Sequence, residues 1–394
     1  MMRRNAIAIV GLAATLALAG WLGLRLYDDR SIWPPDDYIE YWSAGRLNLQ
    51  GENPYSKVKL FPLQIEGGRE LKSVDDAVMM WNPPWTLPLV MPLGVLPSRL
   101  GQFAWLGVNL AIAAASALLL WNAFDGAKSK RWLAIVLSLG FIPTLLALNV
   151  GQISLVLLLG CAGFLWSAKR GYPFVAGLCA VLVAVKPHLA YLLWIAIAMQ
   201  AAFSRQWRIV LGGVAGGLLM TAIAMAFNPQ VWTHYFEAYR IHPPSEHVSL
   251  TLGIPLRIAF GQERFWLQFL PMIPLAAVYG VHAWNRRNDW NWSVEMPLLV
   301  AASFVTAPYG AWHFDLVLML VPVLHLAVAM AEFGWTVRSR LLFALWLFAN
   351  AAMLALTLAK VWSFWFAWVA PLIFLAWSLA RFPLPSPRLR PVPA

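Results

Sequence analysis

The residues best suited to chemistry open the loop after the first apolar segment, in the run Pro34-Pro35-Asp36-Asp37-Tyr38-Ile39-Glu40-Tyr41-Trp42-Ser43-Ala44-Gly45-Arg46. Three carboxylates fall there within five residues, in a chain with only 18 acidic side chains among 394, and they are packed with aromatics beside an apolar run. Such a cluster is a candidate general base at a bilayer surface. The competing reading is plainer: acidic residues gather at loop starts because loops are wet.

The elements that must position these residues are apolar helices. With 60% hydrophobic and 12% charged residues, the chain is built of apolar runs of about 15 to 22 residues separated by short polar punctuation, the pattern of an all-α, polytopic transmembrane helical bundle. Cys161 and Cys179 both lie inside apolar runs and read as small core residues, not as a disulfide or a zinc site. The net charge of +11 does not point to nucleic acid, because the basic residues sit in short loops where they act as orientation signals.

Those loops set the expected topology. Basic clusters occur at Arg3/Arg4, Lys128/Lys130/Arg131, Lys169/Arg170, Arg205/Arg208, Arg286/Arg287, Arg338/Arg340 and Arg381/Arg388/Arg390, whereas the turns at Asn149 to Gln152 and Pro308 to Trp312 carry none. Placing every basic cluster inside predicts about 12 spans, near 5–27, 101–123, 132–148, 152–167, 172–186, 188–203, 209–227, 265–284, 292–307, 314–332, 341–358 and 361–380. Both termini are then cytoplasmic in a plasma-membrane protein, the first run being a retained span rather than a cleaved signal. The apolar stretch Pro83 to Pro97 must lie in the outer interface, since a crossing there would put Lys128 to Arg131 outside. A single transmembrane domain over 1–382 results, with two long outer loops, 28–100 and 228–264, and a Pro-rich cytoplasmic tail, 383–394. Within the first loop, Asp37 stands at or next to an N-cap, and Tyr38 to Leu49 form a helix with Tyr38, Tyr41, Trp42 and Gly45 on one face. Its aromatics suit the headgroup layer.

The run Asp37 to Arg46 with Asn53-Pro54-Tyr55, then Asn82-Pro83-Pro84-Trp85 leading into an interfacial helix, then Asn149-Val150-Gly151-Gln152 and Lys186-Pro187-His188, resembles glycosyltransferase family 87 of the GT-C superfamily. The resemblance spans most of the chain. It implies a GT-C type bundle and a mannosyltransferase that uses a polyprenyl-phosphate sugar as donor, works on the outer face, inverts the anomeric configuration and glycosylates a glycolipid or glycan acceptor among membrane lipids. In that superfamily the acidic residue opening the first outer loop is the usual base. Asp37 matches that position best, with Asp36 as the alternative.

Such chemistry needs one base at the acceptor hydroxyl and positive charge or hydrogen-bond donors at the departing phosphate. Lys186 is the leading phosphate ligand, because a lysine at the end of a span is costly unpaired; snorkelling to the headgroups is the alternative. His188 shares its turn, and His313 and Arg257 complete the candidate phosphate set. Glu40, Tyr41, Asn82, Asn149, Gln152 and Asp315 are candidates for sugar or acceptor binding, with turn chemistry as the plain reading of Asn149 and Gln152 and capping as that of Asp315. His234, Tyr235, Tyr239, Arg240, His242, His247 and Ser249 of the second loop, with Arg257, suit an acceptor groove. No metal is expected, since the histidine spacing fits no zinc pattern, and no cofactor is expected. GxGxxG, Walker, HExxH and GxSxG patterns are absent, which argues against a nucleotide-sugar Rossmann domain and a soluble hydrolase. A lipid-sugar transporter should show repeat symmetry and mid-bilayer charges, whereas the charges here gather at span ends and in loops.

Overall fold

The computed structural model describes residues 17, 18, 20–243, 245 and 249–380, and every regular element among them is helical. The basic termini, His247 and the tail 383–394 lie outside the described residues. A helix over residues 20–28 (α1) precedes the first long loop. That loop carries α2 (Tyr38–Leu49), α3 (Lys57–Glu66) and α4 (Leu87–Val95). Then come α5 (Ser98–Ala123), α6 (Arg131–Leu139), α7 (Ile142–Val150), α8 (Ser154–Lys169), α9 (Pro173–Val183), α10 (Tyr191–Ser204) and α11 (Trp207–Phe227). The second loop holds α12 (Val231–Ile241) and α13 (Gly253–Phe260), followed by α14 (Met272–Asn285), α15 (Trp292–Thr306), α16 (Leu320–Phe333), α17 (Val337–Leu358) and α18 (Val369–Ala380).

Among the described residues, seven helices are long and apolar enough to cross a membrane: Ser98–Ala123, Pro187–Ser204, Trp207–Phe227, Phe265–Asn285, Asp315–Phe333, Val337–Leu358 and Ser363–Ala380. Each coincides with a span predicted from the sequence. Taken together as one broken span, the pair α6 and α7 would make an eighth, bent by 61° where Pro143 enters the second helix and denies it a backbone donor. Three predicted spans correspond to helices too short to count among these: α8, α9 and α15 have 16, 11 and 15 residues. At 1.5 Å per residue an 11-residue helix rises only about 17 Å, well short of a hydrocarbon core of about 30 Å. The predicted span at 5–27 falls largely outside the described residues.

Those three short helices all end at one place. The chain entering α8 carries Gln152, the chain leaving α9 carries Lys186, and the chain leaving α15 carries Tyr309 and Gly310, all of them on the walls of one polar cavity. Stopping helices short is how a bundle makes room for such a cavity, because irregular backbone in a membrane protein is tolerated where it lines one.

The first loop is a packed layer. Helix α2 has ten of its residues buried, so it is enclosed on nearly every side instead of resting one aromatic face on a surface. Its crossing with α4 is made at Gly45 and Gly94: a methyl group on Gly45 would sit 2.7 Å from the Val90 carbonyl oxygen, and one on Gly94 would sit 2.4 Å from the Arg46 nitrogen. Backbone therefore meets backbone there. Helix α4, nine residues closed off by Pro97, is too short to cross, in keeping with the reading of Pro83 to Pro97 as a non-spanning stretch. Hydrogen bonds tie the layer to the bundle, from Tyr38 Oη to the Ser98 carbonyl (3.0 Å) and from Trp105 Nε1 to the Gly151 carbonyl (2.7 Å).

Candidate active site

A cavity of about 560 Å³ opens where the start of α2, the turn before α8, the turn after α9, α12 and the segment 309–314 converge. Nine of the twelve candidates line it: Asp36, Asp37, Glu40, Tyr41, Asn82, Gln152, Lys186, His188 and His313.

The acidic corner is built by a strained turn. Asp36 has φ +36°, in the region few side chains adopt, and its carbonyl accepts a hydrogen bond from Arg69 Nη1 at 2.8 Å. Asp37 follows at the N-cap of α2, yet its carboxylate caps nothing. It accepts instead from Gln152 Nε2 at 3.1 Å. The Gln152 amide has one orientation available, because its Oε1 already accepts from Tyr41 Oη (2.6 Å) and from the Ile153 backbone N–H (3.0 Å). Gly151 makes the approach possible. Its φ is +75°, and a methyl group on it would lie 2.6 Å from Tyr38 Cβ.

Burial raises all three carboxyl groups here. Asp37 is pushed up to about 6, by burial first and then by the neighbouring Asp36 charge, against the hydrogen bond from Gln152 and the positive charges of Arg69 and Lys186. Glu40, one helical turn along, is pushed up to about 8 by burial and then by the Asp37 charge. Asp36 is raised by burial and held back by Arg69. At neutral pH the corner therefore holds an ionised Asp37 beside a protonated Glu40, the state in which a carboxylate can take a proton.

The basic corner is arranged differently. Lys186 Nζ donates to Asp315 Oδ1 at 2.7 Å, and the same oxygen accepts from Ser154 Oγ. Asp315 Oδ2 accepts from the Trp312 backbone N–H at 2.9 Å. One of the three ammonium N–H bonds is thus occupied and the other two are left for the cavity, with Nζ 5.2 Å over the Phe314 ring. His188 packs on Tyr309 with centroids 4.5 Å apart, and its Nε2 is buried without a partner among the described residues. The ring of His313 meets Ser363 Oγ through Nδ1 at 2.9 Å, and burial lowers its pKa against the pull of Asp315.

A wall of rings closes the side formed by α12. Tyr235 and Tyr239 lie 4.8 Å apart, Tyr239 meets Trp81 at 5.6 Å, and Tyr235 meets Tyr55 at 5.3 Å. Flat, half-exposed aromatic faces with hydroxyl tips suit the apolar faces and edges of a sugar ring.

Three candidates stand apart from the cavity. Asn149 is exposed on the far side of the turn, where its carbonyl accepts from Trp33 Nε1 at 2.8 Å, because the left-handed Gly151 reverses the chain and aims Gln152, not Asn149, inward. Arg257 turns its guanidinium onto its own loop, donating to the carbonyls of Gln262 and Ser245 and to Gln268 Oε1. Asp315 is fully buried behind Lys186 and spends both oxygens on it, on Ser154 and on backbone, so it positions the lysine instead of touching a ligand. Asn82 lines the cavity but also serves as a clamp, its Nδ2 donating to the Val185 carbonyl at 3.0 Å beside Lys186. His234, Arg240 and His242 do not reach the lining, and Ser249 is occupied with the Ala311 backbone. Arg69 and Ser154 escape the sequence reading altogether: Ser154 finds Asp315 across 161 residues, a pairing no local spacing announces. Among the described residues no group of three or more His, Cys, Asp or Glu side chains is placed to hold a metal.

A bundle of membrane-crossing helices with short helices stopping at a cavity that pairs a neutral-range carboxylate with a lysine is the frame of a membrane transferase. Residues 81–308 match glycosyltransferase family 87, more than half of the chain, and the chain belongs to that family. It is therefore a membrane glycosyltransferase. The matched stretch includes Asn82, Gln152, Lys186 and His188, and begins after the acidic corner. No curated protein and no solved structure matches the chain.

Proposed function

We propose that the protein transfers mannose from a polyprenyl-phosphate donor to a hydroxyl of a glycolipid or glycan acceptor, with inversion at the anomeric carbon, on the outer face of the plasma membrane. The observation that carries this reading is Asp37: a half-buried carboxylate with its pKa pushed up to about 6, aimed by Gln152 into a cavity that also receives Lys186. The acceptor oxygen attacks C1, the bond from C1 to the phosphate oxygen breaks, Asp37 takes the hydroxyl proton, and the prenyl phosphate departs with the bonding electron pair. Lys186 meets the charge that develops on the departing phosphate through its two free N–H bonds. A single displacement turns a β-linked donor into an α-linked product. The donor lipid and the sugar come from the GT-C likeness of the family; the cavity chemistry is compatible with them.

The deciding experiment incubates the purified protein in nanodiscs with synthetic prenyl-phosphate mannose, and in parallel with other prenyl-phosphate hexoses and pentoses, and reads the anomeric linkage of the product by NMR. An α-mannoside is the expected product. Transfer of another sugar overturns the assignment of mannose, a retained configuration overturns the single displacement, and failure with every prenyl phosphate overturns the donor. The sidedness is read separately: a cysteine replacing exposed Glu66 labels with an impermeant reagent from outside, and one replacing exposed Ser129 does not.

A further inference from the structure

We propose that the groove between α6, α16, α17 and α18 is a binding site for an anionic phospholipid of the leaflet opposite the catalytic cavity. The groove encloses about 440 Å³ and is walled by side chains such as Leu133, Leu137, Phe141, Ala327, Met330 and Trp346. Its polar residues are Lys130 and Asn350. Asn350 asks nothing of a ligand, because Oδ1 accepts the Ile142 N–H at 2.9 Å and Nδ2 donates to the Trp346 carbonyl at 2.9 Å. The interior therefore suits a hydrocarbon chain.

The mouth supplies the choice of lipid. Lys130 lines it and reaches the Ala331 carbonyl, with exposed Lys128 and Arg131 beside it and exposed Arg338 and Arg340 on the first turn of α17. Lys128, Lys130, Arg131 and Arg340 form no ion pair among the described residues, and Glu332 is the one acidic residue on the helices that wall the groove. A surplus of positive charge at the open end of an apolar slot is complementary to a lipid with a negative headgroup and a hydrocarbon tail.

The position separates this lipid from any substrate. The span Asp315–Phe333 begins behind Lys186 in the catalytic cavity and ends where Met330, Ala331 and Gly334 line the groove. Fifteen residues of helix put about 22 Å between the two ends. A headgroup held at Lys130 therefore lies at the opposite end of this membrane-crossing helix from a phosphate held at Lys186, whichever way the protein is oriented.

The test measures binding of phosphatidylglycerol and of phosphatidylcholine to the purified, delipidated full-length protein, by native mass spectrometry and by thermal stabilisation. Wild type is expected to prefer phosphatidylglycerol. The triple variant Lys128→Ala, Lys130→Ala, Arg131→Ala loses that preference by about fivefold per basic residue, from about 1 kcal/mol for each charge near a lipid surface. The groove-filling variant Ala327→Leu weakens binding of the same lipid while donor kinetics at the distant cavity stay unchanged. The control pair Arg205→Ala, Arg208→Ala, exposed where α10 passes into α11, leaves the preference intact. Equal binding of the two lipids by wild type overturns the proposal. So does an equal loss in the control pair, or a loss in the triple variant with none in Ala327→Leu, since either result reduces the effect to general surface charge.

Discussion

The carboxylate of Asp315, buried behind Lys186, and the carboxylates at the start of α2, in the cavity wall, are treated oppositely by their neighbours. Asp315 is answered on both oxygens, by an ammonium, a hydroxyl and a backbone N–H, and the result is a fixed lysine. Asp36, Asp37 and Glu40 crowd together with no ion pair to any of them among the described residues, and the direct donor to the Asp37 carboxylate is a neutral amide. A satisfied buried network holds a geometry. An under-compensated one raises pKa values into the range where proton transfer is useful at neutral pH. One cavity thus separates the work of positioning from the work of reacting.

The sharpest way to break this contrast is Asp37→Asn, which keeps shape and removes the base. Turnover is expected to fall by about 10² to 10⁴ with donor binding nearly intact, and Asp36→Asn to be milder. Single-turnover rates on both variants decide it; an active Asp37→Asn beside a dead Asp36→Asn transfers the role to Asp36. Next in size is Lys186→Ala, expected to lower kcat/KM for the donor by about 10- to 100-fold, the worth of one charge-assisted hydrogen bond, with little change in acceptor KM. Combining it with Asp315→Asn should recover part of the lost thermal stability by removing the stranded partner, yet recover none of the donor kinetics.

The acidic corner has a pH signature. Since Asp37 acts ionised and its pKa stands near 6, activity should fall as pH drops through about 6, not through the ordinary carboxylate range near 4. Removing the charge that raises it, in Asp36→Asn, should move this acid limb to lower pH. Removing the hydrogen bond that lowers it, in Gln152→Leu, should move the limb to higher pH. Profiles of kcat/KM for the three proteins test both signs together.

Smaller effects sharpen the map. Gly151→Ala places a side chain in the left-handed region and against Tyr38, so it should destabilise by at least about 1 to 2 kcal/mol in thermal unfolding and loosen Gln152. Asn149→Ala and Arg257→Ala, both away from the cavity, should leave donor kinetics within about twofold of wild type. A large effect at either position would mean that the cavity is wider in the working state.

Much of the scaffold was readable because apolar length and basic punctuation are local properties: the seven long spans and the bounds of α2 at Tyr38 and Leu49 fall where the residue pattern puts them. Asp37, Glu40, Gln152 and Lys186 were also legible, since each stands at a helix end where a polar residue is conspicuous. What the sequence could not convey was aim. Nothing in Asn149-Val150-Gly151-Gln152 tells which amide turns inward until the left-handed Gly151 is seen against Tyr38. Likewise the exhaustion of Asp315 by Ser154, Lys186 and Trp312 depends on contacts spanning up to 161 residues.

The crossing of α2 over α4 at Gly45 and Gly94 has a bearing on how this enzyme can change its substrates. Where two main chains touch with no side chain between them, substitution has no finer setting than the glycine already there, so the seat on which α2 holds Asp37 cannot be adjusted by small steps. The ring wall of the cavity is made of side chains, Trp81, Tyr235 and Tyr239, each replaceable one at a time. New acceptor preferences should therefore arise by exchanging Trp81, Tyr235 or Tyr239 while the seat of α2 stays fixed, so that one reaction can be kept and its recipients varied.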